Sequence, residues 1–310
     1  MTHKHTITLH GGGASKERIS AHLFRDLLDL LVDGAEKSLR YRIEGRSTVG
    51  GGRYPRSLRP AADFVLVRGA GHEANSAVIE ARPLIETMPE RFHQGDMFDD
   101  LDPSKSPVDL FEDALEDALA GNEDSDLFDG GLVRAFQGFS ALLDQGVERV
   151  EMVNGRTLRV DGHSMLNIQR LAGRTYAPQR VRVAGRLETI RYSDCRFVLT
   201  LADGASMGGT AIDLGNEVLR ESFGRTVMVT GRAVFRPSGR PLRIDAEKIE
   251  AASDRDALIW SSPPKPLLPS FAPKAIREEQ RSKGGLSAVF GKWPGDESDE
   301  EVQAALDSLS

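Results

Sequence analysis

The stretch Arg180-Val-Arg-Val-Ala-Gly-Arg-Leu-Glu-Thr-Ile190 decides the fold of the second half of the chain. Apolar residues alternate with arginines in its first half, which predicts a half-buried β-strand. More short strands follow, separated by turns at Ala202-Asp-Gly204 and Pro237-Ser-Gly239, with a helix predicted over 217–223. Five strands with a helix between the third and fourth is the order of an OB-type barrel, and an SH3-like barrel is the alternative. The predicted strands are 181–187, 197–201, 210–212, 227–235 and 242–249.

The first 95 residues predict a small α+β domain. Ser15 is placed to cap a helix whose apolar residues recur at spacings of three and four, and Gly34 is expected near the end of that helix. One helix against a small antiparallel sheet is the simplest arrangement that buries both apolar faces. The predicted strands are 6–10, 39–44, 64–67 and 77–81.

The segment that follows carries most of the acidity of the protein. The whole chain has a formal net charge of −7, but residues 96–129 hold 13 acidic residues and one lysine, a net charge of −12. Helical spacing over 108–119 and 132–143 predicts an acidic helical hairpin, with Pro107 in the first turn and Gly121 as a stop. Its carboxylates are expected on solvated helix positions. They are Asp109, Glu112, Asp113, Glu116 and Asp117.

The predicted fold class is therefore α+β, with several units along the chain. After Ser253 the prolines become too dense for helix or sheet, which indicates an extended spacer. The predicted units are an N-terminal α+β domain (1–95), the acidic helical hairpin (96–146), the OB-like barrel domain (147–254), a proline-rich linker (255–285) and a partner-binding tail (286–310).

Composition excludes several classes of protein. The chain has 310 residues and one cysteine, Cys195, which excludes an internal disulfide framework and any cysteine-clustered metal site. No apolar run reaches the roughly 18 residues of a membrane-spanning helix, and the start lacks the apolar core of a signal peptide. We therefore expect a cytoplasmic protein without a membrane partner. His3, His5 and His10 have no carboxylate or cysteine at ligand spacing, so no metal or cofactor is predicted.

One motif suggests catalysis and fails on inspection. Gly204-Ala-Ser206-Met-Gly208 matches the nucleophile elbow of α/β-hydrolases. That fold orders its triad serine, acid, histidine, and the last histidine in this chain is His163. The serine also falls in a predicted hairpin rather than between a strand and a helix. The sequence therefore predicts a protein that is not an enzyme.

The barrel is a candidate for binding single-stranded nucleic acid. Its arginines could follow a phosphate backbone, although strand alternation directs Phe197 and Phe235 inward and leaves few aromatic rings for base stacking. A structural or protein-binding barrel is the alternative. The candidate contacts are Arg182, Arg186, Arg191, Arg196, Arg232 and Arg236.

The C-terminal tail carries a resemblance to a known family. The run from Phe290-Gly-Lys-Trp293 through Glu301-Val302 resembles the toxin-wrapping tail of VapB-type antitoxins, which neutralise PIN-domain ribonucleases. About 25 residues carry this resemblance. The body, including 180–190 and 235–240, resembles an uncharacterised bacterial protein family. It departs from typical antitoxins, which place a short DNA-binding module before the tail, and this departure puts operator binding in doubt.

The resemblance implies a mechanism of inhibition. A PIN toxin holds Mg²⁺ in a pocket of acidic side chains, so an inserted cation from Arg281, Lys283 or Lys292 would take the place of the metal. Phe290 and Trp293 would be apolar anchors. The last helix would lie in a groove of the toxin through Val302, Leu306 and Leu309. The alternative is that the tail folds back on its own body.

Overall fold

The computed structural model describes residues 2–45, 47–49, 54–67, 73–92, 101–192 and 194–267. Residues Met1–Ser270 form one compact unit. It contains a five-stranded antiparallel sheet, a set of helices and a separate closed β-barrel of five strands. The predicted α+β class is confirmed.

The antiparallel sheet has the strand order β2-β3-β1-β4-β5. In β1 the side chains of His5, Ile7 and Leu9 are buried while Lys4 is exposed, as alternation along a half-buried strand requires. The strands are β1 (His3–His10), β2 (Phe64–Val67), β3 (Ser76–Ala81), β4 (Arg149–Asn154) and β5 (Arg156–Asp161).

Helices pack on the apolar side chains of this sheet and share one core with it. That core joins Ile7 and Leu9 of the central strand to Phe111, Phe136 and Phe139 of the helices. The helices of this layer are α1 (Ala21–Glu44), α5 (Pro107–Leu119), α6 (Gly130–Phe136), α7 (Phe139–Leu143) and α8 (Gly162–Arg174). Three short helices pack in a separate apolar cluster with the end of α1: α2 (Arg59–Ala62), α3 (Leu84–Thr87) and α4 (Pro89–Phe92).

Helix α5 begins and ends where the sequence predicts. Ser106 caps it in a capping box with Asp109, Pro107 occupies the first turn, and Gly121 follows the helix with φ +72°. Helices occupy both predicted positions, and Phe111 of α5 contacts Phe136 of α6 with ring centroids 5.7 Å apart. Each of these two helices packs chiefly against α1 and α8. The second predicted helix is also divided into α6 and α7, where Gly138 N donates to Ala135 O in a tighter turn.

Helix α1 is longer than predicted and includes the stretch expected to be a strand. Ser15 is not its cap, since the helix begins at Ala21 after Ser20. The alternation of Leu39, Tyr41 and Ile43 has a different cause. Tyr41 packs into the core under the sheet, while Leu39 and Ile43 pack into a second apolar cluster with Leu110. The end of α1 is thus buried on two sides, which produces a strand-like pattern in a helix.

Gly34 lies inside α1 rather than near its end, and the ring of Phe111 packs directly on it. A β-carbon at Gly34 would lie 2.3 Å from Cε2 of Phe111.

We expect Gly34→Ala to lower the free energy of unfolding by about 1–3 kcal/mol through overpacking, measured by urea denaturation. Gly173→Ala in α8 is the control, because a β-carbon at Gly173 would have no atom within 4 Å and the change should stabilise by up to about 1 kcal/mol. Equal effects at the two sites would contradict this packing.

The barrel has the topology of an OB-type fold. Its closed strand order is β10-β8-β7-β6-β9, and only the β8–β10 pair is parallel. The third and fifth barrel strands pair in parallel, and a helix lies between the third and fourth strands. These two features favour the OB topology over the SH3-like alternative. The elements are β6 (Gln179–Arg191), β7 (Arg196–Thr200), β8 (Ser206–Thr210), α9 (Asn216–Ser222), β9 (Thr226–Phe235) and β10 (Pro241–Ala251).

The boundary between the sheet and the barrel differs from the prediction. The barrel domain was expected from residue 147, but β4 pairs with β1, and β5 pairs with β4. Residues 147–174 therefore belong to the helix and sheet layer, and the barrel begins at Gln179. The β4–β5 hairpin turns at Asn154-Gly155, with Gly155 at φ +68°.

The predicted linker begins with an ordered element. Helix α10 (Asp254–Ile259) follows a capping box formed by Ser253 and Asp256. Ala184 N of the barrel donates to Trp260 O at 2.8 Å, and Leu267 N donates to Gln179 Oε1 at 3.2 Å. The chain from 254 to 267 therefore runs along the barrel before it reaches the tail.

Candidate functional site

The six arginines predicted to contact nucleic acid fall into two groups. Arg182, Arg186 and Arg232 are exposed on the barrel surface. Arg232 lies 3.5 Å from Glu247, and Arg186 lies 3.7 Å from Glu188, both as surface ion pairs. The other three, Arg191, Arg196 and Arg236, are partly buried in ion pairs within the chain.

Asp194, in the loop between β6 and β7, forms ion pairs with three guanidinium groups. Its carboxylate lies 2.6 Å from Arg191, 2.9 Å from Arg196 and 3.3 Å from Arg91 of α4. Arg196 also donates to Arg42 O of α1 at 2.6 Å. Burial lowers the pKa of Arg196 to about 10, although the neighbouring Asp194 acts in the opposite direction. The contacts of Asp194 and Arg196 with Arg91 and Arg42 therefore attach the barrel to helices α4 and α1.

A second loop of the barrel binds the acidic segment. Between β9 and β10, Arg236 pairs with Asp126, and Ser238 N donates to Glu123 O at 3.2 Å. Arg240 lies 3.4 Å from Asp124. These loop residues thus neutralise part of the segment that gives the chain its acidity.

Buried charge continues from this loop into the core. Arg243 of β10 lies over the ring of Tyr41 at 4.8 Å and 3.8 Å from Asp129. Burial raises the pKa of Tyr41 to about 12, with the nearby Arg243 opposing that rise. Asp129 caps α6 and also accepts hydrogen bonds from the backbone and hydroxyl of Thr48.

These contacts occupy the barrel loops through which OB folds bind ligands. In that fold the second and third strands, with the loops 1–2 and 4–5, form the usual ligand face. Here loop 1–2 holds Asp194 against Arg91, and loop 4–5 holds Arg236 against Asp126. At this face the barrel therefore contacts its own helical layer.

The acidic helix α5 is not a uniformly solvated surface. Glu116 is exposed as predicted, but Asp109 and Glu112 are buried, which corrects the expectation for those two residues. Arg156 of β5 pairs with Asp113 and Glu116 at 2.6 Å each. A cleft of about 530 Å³ opens beside this helix. Its lining is Arg42, Leu101, Asp102, Lys105, Leu110, Asp113, Glu116, Asp117, Asp126 and Leu127.

The expectation that the N-terminal histidines lack carboxylate partners is wrong. His3 Nδ1 lies 2.7 Å from Asp109 Oδ2, and His5 Nδ1 lies 2.8 Å from Glu112 Oε1. More than 100 residues separate each pair along the chain, so local spacing could not show them. The sequence signal for these two pairs is His-x-His on a strand together with Asp-x-x-Glu on a helix. Each of these spacings places both of its side chains on one face of the element.

The predicted toxin-binding residues lie outside the described residues. They are Arg281, Lys283, Phe290, Lys292, Trp293, Val302, Leu306 and Leu309.

No family model matches the chain, and no curated protein or solved structure matches it either. Among the described residues, no helix is both long and apolar enough to cross a membrane.

Proposed function

We propose that this protein is an antitoxin-like inhibitor that binds a PIN-domain ribonuclease through its C-terminal tail. The observation that carries the proposal is the sequence of that tail. Two aromatic residues, Phe290 and Trp293, precede a stretch with apolar residues at helical spacing, and both follow a proline-rich spacer. Large apolar side chains beyond such a spacer need a surface on which to be buried.

The architecture of the body supports a scaffolding role. The barrel uses Arg191, Arg196 and Arg236 to hold its own helical layer. The body is one compact unit, Met1–Ser270, with closed apolar cores. In this proposal the body is the scaffold that carries the tail.

Inhibition in this proposal comes from charge and anchoring together. A cation from Arg281, Lys283 or Lys292 enters the acidic pocket of the toxin, where a guanidinium would pair with two carboxylate oxygens. Phe290 and Trp293 fill apolar grooves beside that pocket. The toxin pocket then cannot hold its metal ion.

We expect the adjacent reading frame to encode a PIN-type ribonuclease, and co-expression with that ribonuclease tests this function. We expect the full chain to restore growth that the ribonuclease arrests, and Phe290→Ala with Trp293→Ala to lose that protection. Tyr192→Ala is the matched control, since it removes an exposed aromatic residue from the body. An adjacent frame without a PIN domain, or full protection by the double variant, would contradict the proposal.

Binding of single-stranded nucleic acid by the barrel is a second candidate. It is favoured by the exposure of Arg182, Arg186 and Arg232 on the barrel. The test is binding of residues 1–267 to a labelled oligonucleotide between about 50 and 200 mM salt, where affinity should fall steeply. Charge reversal of the three arginines should abolish that binding. Absence of binding at the lower salt concentration would eliminate this candidate.

A further inference from the structure

Three side chains able to hold one metal ion, those of His5, Asp109 and Glu112, meet where β1 crosses the start of α5, and His3 lies beside them against Asp109. His3 and His5 lie two residues apart on β1, so both face the helical layer, as Ile7 does. Asp109 and Glu112 lie three residues apart on α5, which places them on one face of that helix. We call these four residues the His–carboxylate cluster.

The cluster lies almost entirely out of water. His5 has no exposed surface, Glu112 is 2% exposed and Asp109 is 9% exposed. His3 is the partly exposed member and forms the side of the cluster that reaches solvent. A small ion can therefore reach the cluster past His3 and then be enclosed by the other three side chains.

Two carboxylates share this nearly dry site with two imidazoles, and buried carboxylates are costly unless they are compensated. Arg156 of β5 pairs directly with Asp113 and Glu116. A divalent cation bound within the cluster would compensate its carboxylates.

The separations within the cluster suit coordination of an ion. One ligand atom each from His5, Asp109 and Glu112 lies within 4.8 Å of the other two. His5 Nδ1 lies 2.8 Å from Glu112 Oε1, and His5 Nε2 lies 3.8 Å from Asp109 Oδ1. Ligand atoms on a tetrahedral ion with bonds of about 2.0–2.2 Å lie about 3.3–3.6 Å apart. These two contacts involve different nitrogens of the His5 ring, and one ion binds only one of them. The more distant carboxylate would therefore move by up to about 1 Å to complete the coordination.

Neighbouring groups already hold the carboxylate of Asp109 in place. Asn154 Nδ2 donates to Asp109 Oδ1 at 2.6 Å, and Ser106 N donates to Asp109 Oδ2 at 2.7 Å. Metal ligands in proteins are typically oriented by an outer shell of hydrogen bonds of this kind.

We propose that His5, Asp109 and Glu112, with His3 at the opening, bind a divalent first-row transition metal ion such as Zn²⁺. Imidazole together with carboxylate suits these ions, whereas Mg²⁺ and Ca²⁺ prefer oxygen ligands alone. The bound ion would join the N-terminal strand to α5. This site is independent of the tail and of the function proposed above.

The test uses the full chain, stripped with a chelator and then equilibrated with Zn²⁺. We expect one equivalent of tightly bound zinc, a rise in the melting temperature on addition of Zn²⁺ but not of Mg²⁺, and visible absorption bands with Co²⁺ as the probe. Glu112→Gln and His3→Ala should each weaken zinc binding by about 10–100-fold. His10→Ala is the matched control, because His10 lies on the same strand and pairs with Glu151 at 3.2 Å outside the cluster.

The same measurements can overturn the proposal. If the wild-type chain binds no zinc beyond what Glu112→Gln binds, the cluster is a hydrogen-bonded structural network only. Circular dichroism of each metal-free variant shows whether it is folded. If the buried Glu112→Gln variant does not fold, the partly exposed His3→Ala variant decides, and unchanged zinc affinity in it would refute the site.

Discussion

Replacing Asp129 by alanine should lower the free energy of unfolding by about 3–5 kcal/mol. The side chain is fully buried and accepts hydrogen bonds from Thr48 N at 2.7 Å, Ser47 Oγ at 3.0 Å and Gly131 N at 3.0 Å. Alanine would leave these donors without their acceptor, and Arg243, 3.8 Å away, would lose one of its two carboxylate neighbours. Each buried donor left unpaired costs about 1–3 kcal/mol.

Asp161→Ala is the matched control for this prediction. Asp161 also caps a helix, α8, through the backbone of Ser164, but its side chain lies nearer the surface. Loss of that cap should cost about 1 kcal/mol. Urea denaturation followed by circular dichroism compares the two variants. If Asp129→Ala loses no more stability than Asp161→Ala, Asp129 does not hold the 47–49 segment as described.

Replacing Asp194 by alanine should have an effect of similar size, because one carboxylate serves three arginines. Its removal leaves Arg91, Arg191 and Arg196 close together without the carboxylate that they share, which we expect to cost about 3–5 kcal/mol. Asp203→Ala is the control, since Asp203 is exposed in a barrel turn and accepts only from Ala205 N among described residues.

A double variant separates the pairing of Asp194 from its packing. Replacing Arg196 by methionine removes one of the three guanidinium groups around position 194. The double variant with Asp194→Ala should therefore lose less stability than the sum of the losses in the two single variants. Chemical denaturation of the four proteins provides this cycle. Strict additivity would show that the ion pair at 2.9 Å contributes nothing to the attachment of the barrel.

Elements stabilised by local sequence were predictable. Strand β7 alternates between buried and half-buried residues, and α5 carries its own cap, proline and stop, so the sequence predicts both. The β4–β5 hairpin was missed although Asn154-Gly155 between alternating stretches signals it. Its assignment to the barrel followed from position along the chain, whereas its pairing with β1 depends on a contact between distant segments.

The buried polar groups were the least predictable part. Asp109 and Glu112 occupy helix positions that are solvated in an isolated acidic helix. Their burial follows from contacts with other segments, namely His3 and His5 of β1 and, for Asp109, also Asn154 of β4. In the sequence, Arg191, Arg196 and Arg236 are typical of a phosphate-binding surface. In the structure they form ion pairs within the chain. The partners of Asp109, Glu112 and Arg236 lie more than 100 residues away, where periodicity carries no information. Arg191 and Arg196 pair with the nearby Asp194, whose further contact with Arg91 spans 103 residues.

If the adjacent reading frame encodes the proposed PIN-type ribonuclease, titration of that ribonuclease with the full chain and with residues 1–267 decides whether the tail is the inhibitory segment. We expect the full chain to bind and inhibit the ribonuclease. Residues 1–267, still folded by circular dichroism, should bind it at least about 1000-fold more weakly, a loss of about 4 kcal/mol. Equal binding and inhibition by residues 1–267 would place the contact on the body and contradict inhibition through the tail.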